Sequence, residues 1–213
     1  MVARCCDLIM ERVLIIGHSY VRRLARTNFD IGFTDIGRTE VDLQGWVGQY
    51  PINLLQHVDG AVDWFLLNGI PDLLILVLGS NDIVSEHWTT GEDLANKTVR
   101  LARRFLEKGV PRVAITEVLP RYGPRALSRL PWMSTERAQE WFYHRMLGYN
   151  TKIKWHAKHT AGIAFLRLQG LHTFVSDYLE DGLHLSAEGR QLFVKALRKS
   201  CVVELKRGRP WFH

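Results

Sequence analysis

The sequence predicts an α/β protein built on a doubly wound, mostly parallel five-stranded sheet flanked by helices. Two observations predict it. Short continuous apolar runs, such as Leu73 to Leu78 (LLILVL), suit parallel strands covered on both faces. The stretches NGIPDLLILVLG and KGVPRVAITEVL also share one punctuation: a glycine stops a helix, a proline follows two residues later, and a strand begins. That rhythm is the signature of successive βα units.

The elements follow in order. Val13–Ile16 reads as the first strand, Leu73–Leu78 as another, Arg112–Val118 as a third and Gly162–Leu166 as the last. Between them, Leu94, Thr98, Leu101, Ala102, Phe105 and Leu106 recur at helical spacing. Arg121–Pro131 carries one Gly and two Pro and reads as a loop, after which Ser134 to about His159 is helical. Ser186 is a good N-cap for a final helix whose buried stripe is Leu192, Phe193, Ala196, Leu197 and Cys201.

With 213 residues, 46% of them apolar, the chain fits one domain over 1–213. Its core spans about 12–203, and a basic tail follows over 204–213. The longest apolar run is too short to span a bilayer. Asp7, Glu11 and Arg12 interrupt any signal-like segment, so an intracellular, cytoplasmic location is expected. Three cysteines, Cys5, Cys6 and Cys201, make neither a disulfide framework nor a zinc site. His156 and His159 can share a helix face, but without a nearby carboxylate they read as a solvated pair. No metal or cofactor is expected.

Ser19 in IIGHSY sits past the carboxyl end of the first strand, where ligands bind in open parallel sheets. Helix N–H groups gathered there favour negative charge. An isolated GHS would more simply cap a helix, so its company matters. Asp181 and His184, three apart in DGLH, supply a base and an orienting acid. Asn81 in GSND follows the strand Leu73–Leu78 and carries an NH2 suited to an oxyanion. Gly45 and Gly48 in LQGWVG would let a backbone approach a reaction centre closely. The simpler reading of both segments is a turn.

Taken in the order Ser, Gly, Asn, Asp-x-x-His, these blocks resemble the SGNH hydrolases, also called GDSL esterases or lipases. The resemblance runs from about Val13 to Val203. It implies a flavodoxin-like fold and a serine esterase without cofactor, acting on an acetyl, lipid or sugar ester. It makes Ser19 the nucleophile, with Asp181 and His184 completing the triad. The oxyanion hole would comprise Ser19, Gly48 and Asn81, with Gly45 as the alternative glycine. The chain departs from the family where His18 replaces the Asp that usually precedes the nucleophile. The α/β-hydrolase elbow G-x-S-x-G fits worse, because Val21 holds its last position.

The net charge is 28 − 22 = +6, and Arg100–Arg145 holds ten Lys or Arg against four Glu and no Asp. Lys97, Arg100, Arg104 and Lys108 line one helical face, ordinarily a solvated one. Arg207-Gly208-Arg209-Pro210 resembles the core of an AT-hook, an arginine arm for narrow minor grooves, although a stray basic tail is the simpler reading. GHSYVRRL also resembles SGNH-type domains encoded by some animal retrotransposons. The alternative function is therefore a retired hydrolase fold used as a binding module, with nucleic acid as its partner.

Overall fold

A computed structural model of the chain describes residues 11–26, 39–45, 58–85, 88–128, 130–171, 178 and 181–207. Five strands form one sheet: β1 (Glu11–Gly17), β2 (Thr39–Gly45), β3 (Leu73–Val77), β4 (Val113–Thr116) and β5 (Ile163–Leu166). Their order is β2-β1-β3-β4-β5 and every pairing is parallel. This is the flavodoxin-like order, with its switch point between β1 and β3.

The described residues form helices that include α1 (Ser19–Arg26), α2 (Val62–Phe65), α3 (Ser80–Ser85), α4 (Gly91–Glu107), α5 (Gly123–Ala126), α6 (Thr135–His159) and α7 (Ala187–Arg207). The strands alternate between two apolar layers, because successive side chains point to opposite faces. Leu14, Ile16, Leu74, Leu76, Val113 and Ile115 face α4 and α6, where Phe105, Phe142 and Tyr149 complete the layer. Val13, Ile15, Leu73, Ile75 and Ala114 face α1 and α7, against Val21, Leu24, Phe193 and Leu197. Each fully buried Leu, Ile or Phe contributes about 1.5–3 kcal/mol of transfer free energy. Every residue of β3 and β4 is buried; β3 is an unbroken apolar run, and in β4 the buried Thr116 hydroxyl donates to the Leu76 carbonyl at 3.4 Å.

Local signals set the boundaries. Gly109, with φ of 96°, directly follows the C-cap Lys108 of α4 and ends that helix in the left-handed conformation. Gly69, with φ of 106°, closes the turn that follows α2, its N–H donating to the Leu66 carbonyl at 3.0 Å. Ser134 accepts the N–H of Arg137 and caps α6. Ser186 accepts the N–H of Gly189 at the start of α7. A reciprocal Thr90–Asp93 capping box starts α4.

Three segments differ from the sequence expectation. The loop 121–131 contains a one-turn helix, α5, with Pro124 in its first turn, where a missing N–H costs nothing. Residues 204–207, expected in the basic tail, continue α7, because Glu204 and Leu205 are buried and Glu204 pairs with Arg112 at 2.6 Å. The edge strand β2 (TEVDLQG) has no apolar run to mark it in the sequence. Of the basic stripe on α4, Arg104 pairs with Asp59 at 2.5 Å and Lys108 with Asp63 at 2.7 Å, so acidic neighbours neutralise part of it. Cys201 is buried within α7, and burial pushes its thiol up to about 12. Residues 208–213, with Arg209, and the Cys5–Cys6 pair lie outside the described residues. Among the described residues, no helix is long and apolar enough to cross a membrane.

Candidate active site

The carboxyl ends of β1 and β3 meet at Gly17, which is in register with Val77 on one side and with Gly45 of β2 on the other. The next residue, His18, donates its N–H to the Val77 carbonyl at 3.4 Å. The His18 carbonyl in turn accepts the N–H of Arg22 at 3.2 Å. His18 therefore occupies the cap position of α1, and Ser19 is the first helical residue. Its backbone N–H belongs to the first-turn donors that lack an intrahelical acceptor. Ser19 is partly exposed at this edge.

The turn carrying Asp181 and His184 is tied to the same helix end. The Tyr20 hydroxyl donates to the Leu183 carbonyl at 2.7 Å, joining residues 163 apart in sequence. Within the turn, Asp181 Oδ2 lies 2.6 Å from His184 Nδ1. Asp181 Oδ1 accepts the N–H groups of Leu183 at 2.9 Å and His184 at 2.8 Å. Burial opposes ionisation of Asp181, but these bonds and the His184 imidazole outweigh it and hold the carboxyl at about 2. A carboxylate so bound fixes the imidazole orientation through Nδ1 and directs Nε2 to the other side of the ring.

Gly182 allows this turn. Its φ is 62°, and a Cβ there would stand 1.6 Å from the Tyr122 carbonyl oxygen. The Tyr122 N–H donates to the Gly182 carbonyl at 2.9 Å, pinning the turn to the segment after β4. Tyr178 and Leu185 bridge on either side of it.

Asn81 is the second residue of α3, in the short turn beyond β3. Its Oδ1 accepts from Arg121 Nη2 at 2.7 Å. That contact assigns the amide orientation, making the opposite end the NH2 donor. Arg121 also donates to Ser80 Oγ from Nε at 3.1 Å and from Nη2 at 2.9 Å, and from Nη1 to the Ala126 carbonyl at 3.3 Å. Arg121 is only 4% exposed, and its guanidinium lies over the Phe142 ring. The sequence reading missed it, treating residues 121–131 as a loop. The available signal was position: Arg121 stands just past the carboxyl end of the fourth strand, as Ser19 and Asn81 stand past theirs.

His18, the departure from the family pattern, is buried edge-on to Tyr20, with ring centroids 4.6 Å apart. Burial first, then the positive charges of Arg121 and His184, lower its pKa to about 3. Its ring is neutral at physiological pH and packs as part of the turn. The same charges place Arg121 and His184 within electrostatic reach of the residue preceding Ser19. Gly45 ends β2 beside this edge, while Gly48 lies outside the described residues.

No family model matches the chain, and no curated protein matches it by sequence. Solved structures do match in fold. A GDSL-like lipase from Bacteroides thetaiotaomicron VPI-5482 is 19% identical, covering 91% of this chain and 88% of its own, with a TM-score of 0.66. A carbohydrate acetylesterase family member from Sinorhizobium meliloti is 17% identical, covering 92% and 100%, with a TM-score of 0.65. A lipase/acylhydrolase from Enterococcus faecalis is 13% identical, covering 92% and 97%, with a TM-score of 0.63. The fold is that of the SGNH hydrolases, as the motif blocks implied, and at these identities the likeness concerns fold.

Proposed function

We propose that the chain is a serine hydrolase of carboxylic esters. The observation that carries this reading is the Asp181–His184 pair at 2.6 Å, on a turn bonded through Tyr20 to the helix end that bears Ser19. Structures of the same fold described as lipases and acetylesterases support it.

In this reading, His184 Nε2 takes the proton from Ser19 Oγ as the oxygen attacks the ester carbonyl. Asp181 keeps Nδ1 protonated and stabilises the imidazolium. The oxyanion receives hydrogen bonds from the Ser19 N–H, the Asn81 NH2 and the Gly48 N–H, with Gly45 as the alternative glycine. His184 returns its proton to the leaving alcohol. It then activates the water that releases the acid from Ser19. His18 takes no proton, because its neutral form persists to about pH 3.

The test is labelling by a fluorophosphonate probe, together with turnover of p-nitrophenyl esters of graded chain length. Ser19→Ala should abolish both while leaving the thermal melt nearly unchanged. Equal turnover in the variant would end the assignment. Absence of labelling in the unmodified chain would favour the retired-hydrolase reading, a binding module on the same fold.

A further inference from the structure

A cavity of about 590 Å³ lies beside the candidate site, on the α6 side of the sheet. That volume falls within the range of small-molecule sites, ~300–1,000 Å³. It shares Arg121 and Tyr122 with the candidate site. Arg121 holds Asn81, and Tyr122 holds the turn of Asp181 and His184. The cavity is therefore walled in part by two residues that also shape the reaction edge.

The walls are mainly apolar. Val118 and Pro120 come from the segment after β4, and Phe142 and Met146 from the buried face of α6. Tyr143 and Leu147, one helical turn apart, also line the cavity, yet they are 49% and 41% exposed. Asn150 is occupied in the wall itself: its amide donates to the Val118 carbonyl and accepts the Val118 N–H at 2.9 and 2.8 Å.

The charged groups around the cavity favour neither sign. Arg121 is engaged by Ser80, Asn81 and the Ala126 carbonyl. Glu117 accepts the Leu168 N–H, and burial raises its carboxyl to about 7, so it is partly neutral at physiological pH. Glu140 and Arg167 are exposed and of opposite charge. An ionic ligand would meet both signs, whereas an uncharged ring would cover Tyr143 and Leu147 without stranding a charge.

We infer that this cavity binds a neutral ring-bearing organic group, held between the α6 residues Phe142, Tyr143, Met146 and Leu147 and the chain after β4. On the hydrolase reading, on which this second step rests, that group is one half of the ester substrate. Arg121 and Tyr122 form the seam between its binding and its cleavage.

The probe is 2-naphthol, titrated by its fluorescence into the Ser19→Ala chain, in which no turnover can intervene. Saturable binding is expected, weakened about tenfold by the double substitution Tyr143→Ala and Leu147→Ala. Leu147→Trp, which fills the cavity, should weaken it similarly. Thermal melts confirm that each variant folds. With Ser19 intact, kcat/KM for 2-naphthyl acetate and for methyl 2-naphthoate is compared with that for ethyl acetate. The double variant should lower one of the two ring-to-ethyl ratios about tenfold. Loss for the naphthyl ester assigns the alcohol half to the cavity, and loss for the naphthoate assigns the acyl half. Unchanged naphthol affinity in folded variants would overturn the inference, and two unchanged ratios would overturn its substrate role. Naphthol binding without turnover of any ester would uphold the cavity and reject the hydrolase reading instead.

Discussion

Replacing His18 with Phe should remove an acid-sensitive component of stability. His18 is buried against Tyr20, and its pKa falls from 6.5 to about 3. Between those values the unfolded chain takes up a proton that the folded chain excludes. The stability associated with the neutral ring is therefore complete above pH 6.5 and is lost as pH falls toward 3. Each pH unit in that window costs about 1.4 kcal/mol. Moving from pH 6.5 to 4.5 thus removes roughly 3 kcal/mol, or about 6–12 °C in Tm for a chain of this size. Glu117 acts in the opposite sense. Its carboxyl is raised from 4.5 to about 7, so its contribution is complete below 4.5 and is lost as pH rises through 7. The two slopes oppose each other in the unmodified chain, and the informative quantity is the difference between it and His18→Phe. Urea or thermal unfolding at pH 7.5, 6.5, 5.5 and 4.5 supplies that difference. The gap between the two chains should change steadily in favour of Phe below pH 6.5 and stay constant above it. Stability curves that run parallel down to pH 4.5 would refute the burial argument.

Gly182→Ala should destabilise the chain by about 1–3 kcal/mol, since it combines left-handed strain with a clash on the Tyr122 carbonyl. It should also lower ester turnover at least tenfold by moving His184; a wild-type melt and rate together would contradict the turn geometry. Arg121→Met removes the donor to Asn81, Ser80 and Ala126. It should cost about 2–4 kcal/mol in urea unfolding, since buried acceptors lose their partner. Its kcat should fall with little change in KM, as for Asn81→Ala, which should lose ~10²–10³-fold as one missing oxyanion donor does. If KM alone moves in either variant, the pair binds substrate or shapes the turn rather than the oxyanion hole.

What the sequence determined is what short windows can encode. Leu73–Val77 and the apolar stretch Val113–Ile115 are buried strands because they leave no polar face to expose. The helix stop at Gly109, the turn at Gly69 and the caps at Ser134 and Ser186 depend on residues at most a few positions away. Asp181 and His184 were recognisable as a pair for the same reason, because a three-residue turn brings them together. Tertiary structure decided the rest. β2, with only Val41 and Leu43 as large apolar residues, is a strand because β1 pairs with it residue for residue. Arg121 looks like one more arginine in a basic stretch until folding places it on Ser80 and Asn81, about forty residues upstream. Glu204 reads as tail until Arg112, 92 residues away, draws it into the core. His18 is an ordinary titratable residue in the sequence, and its burial, with the charges of Arg121 and His184, is what keeps it neutral down to about pH 3. Propensity and periodicity act over one or two turns of chain, whereas desolvation and charge–charge interaction depend on distance through space, which chain closure alone sets.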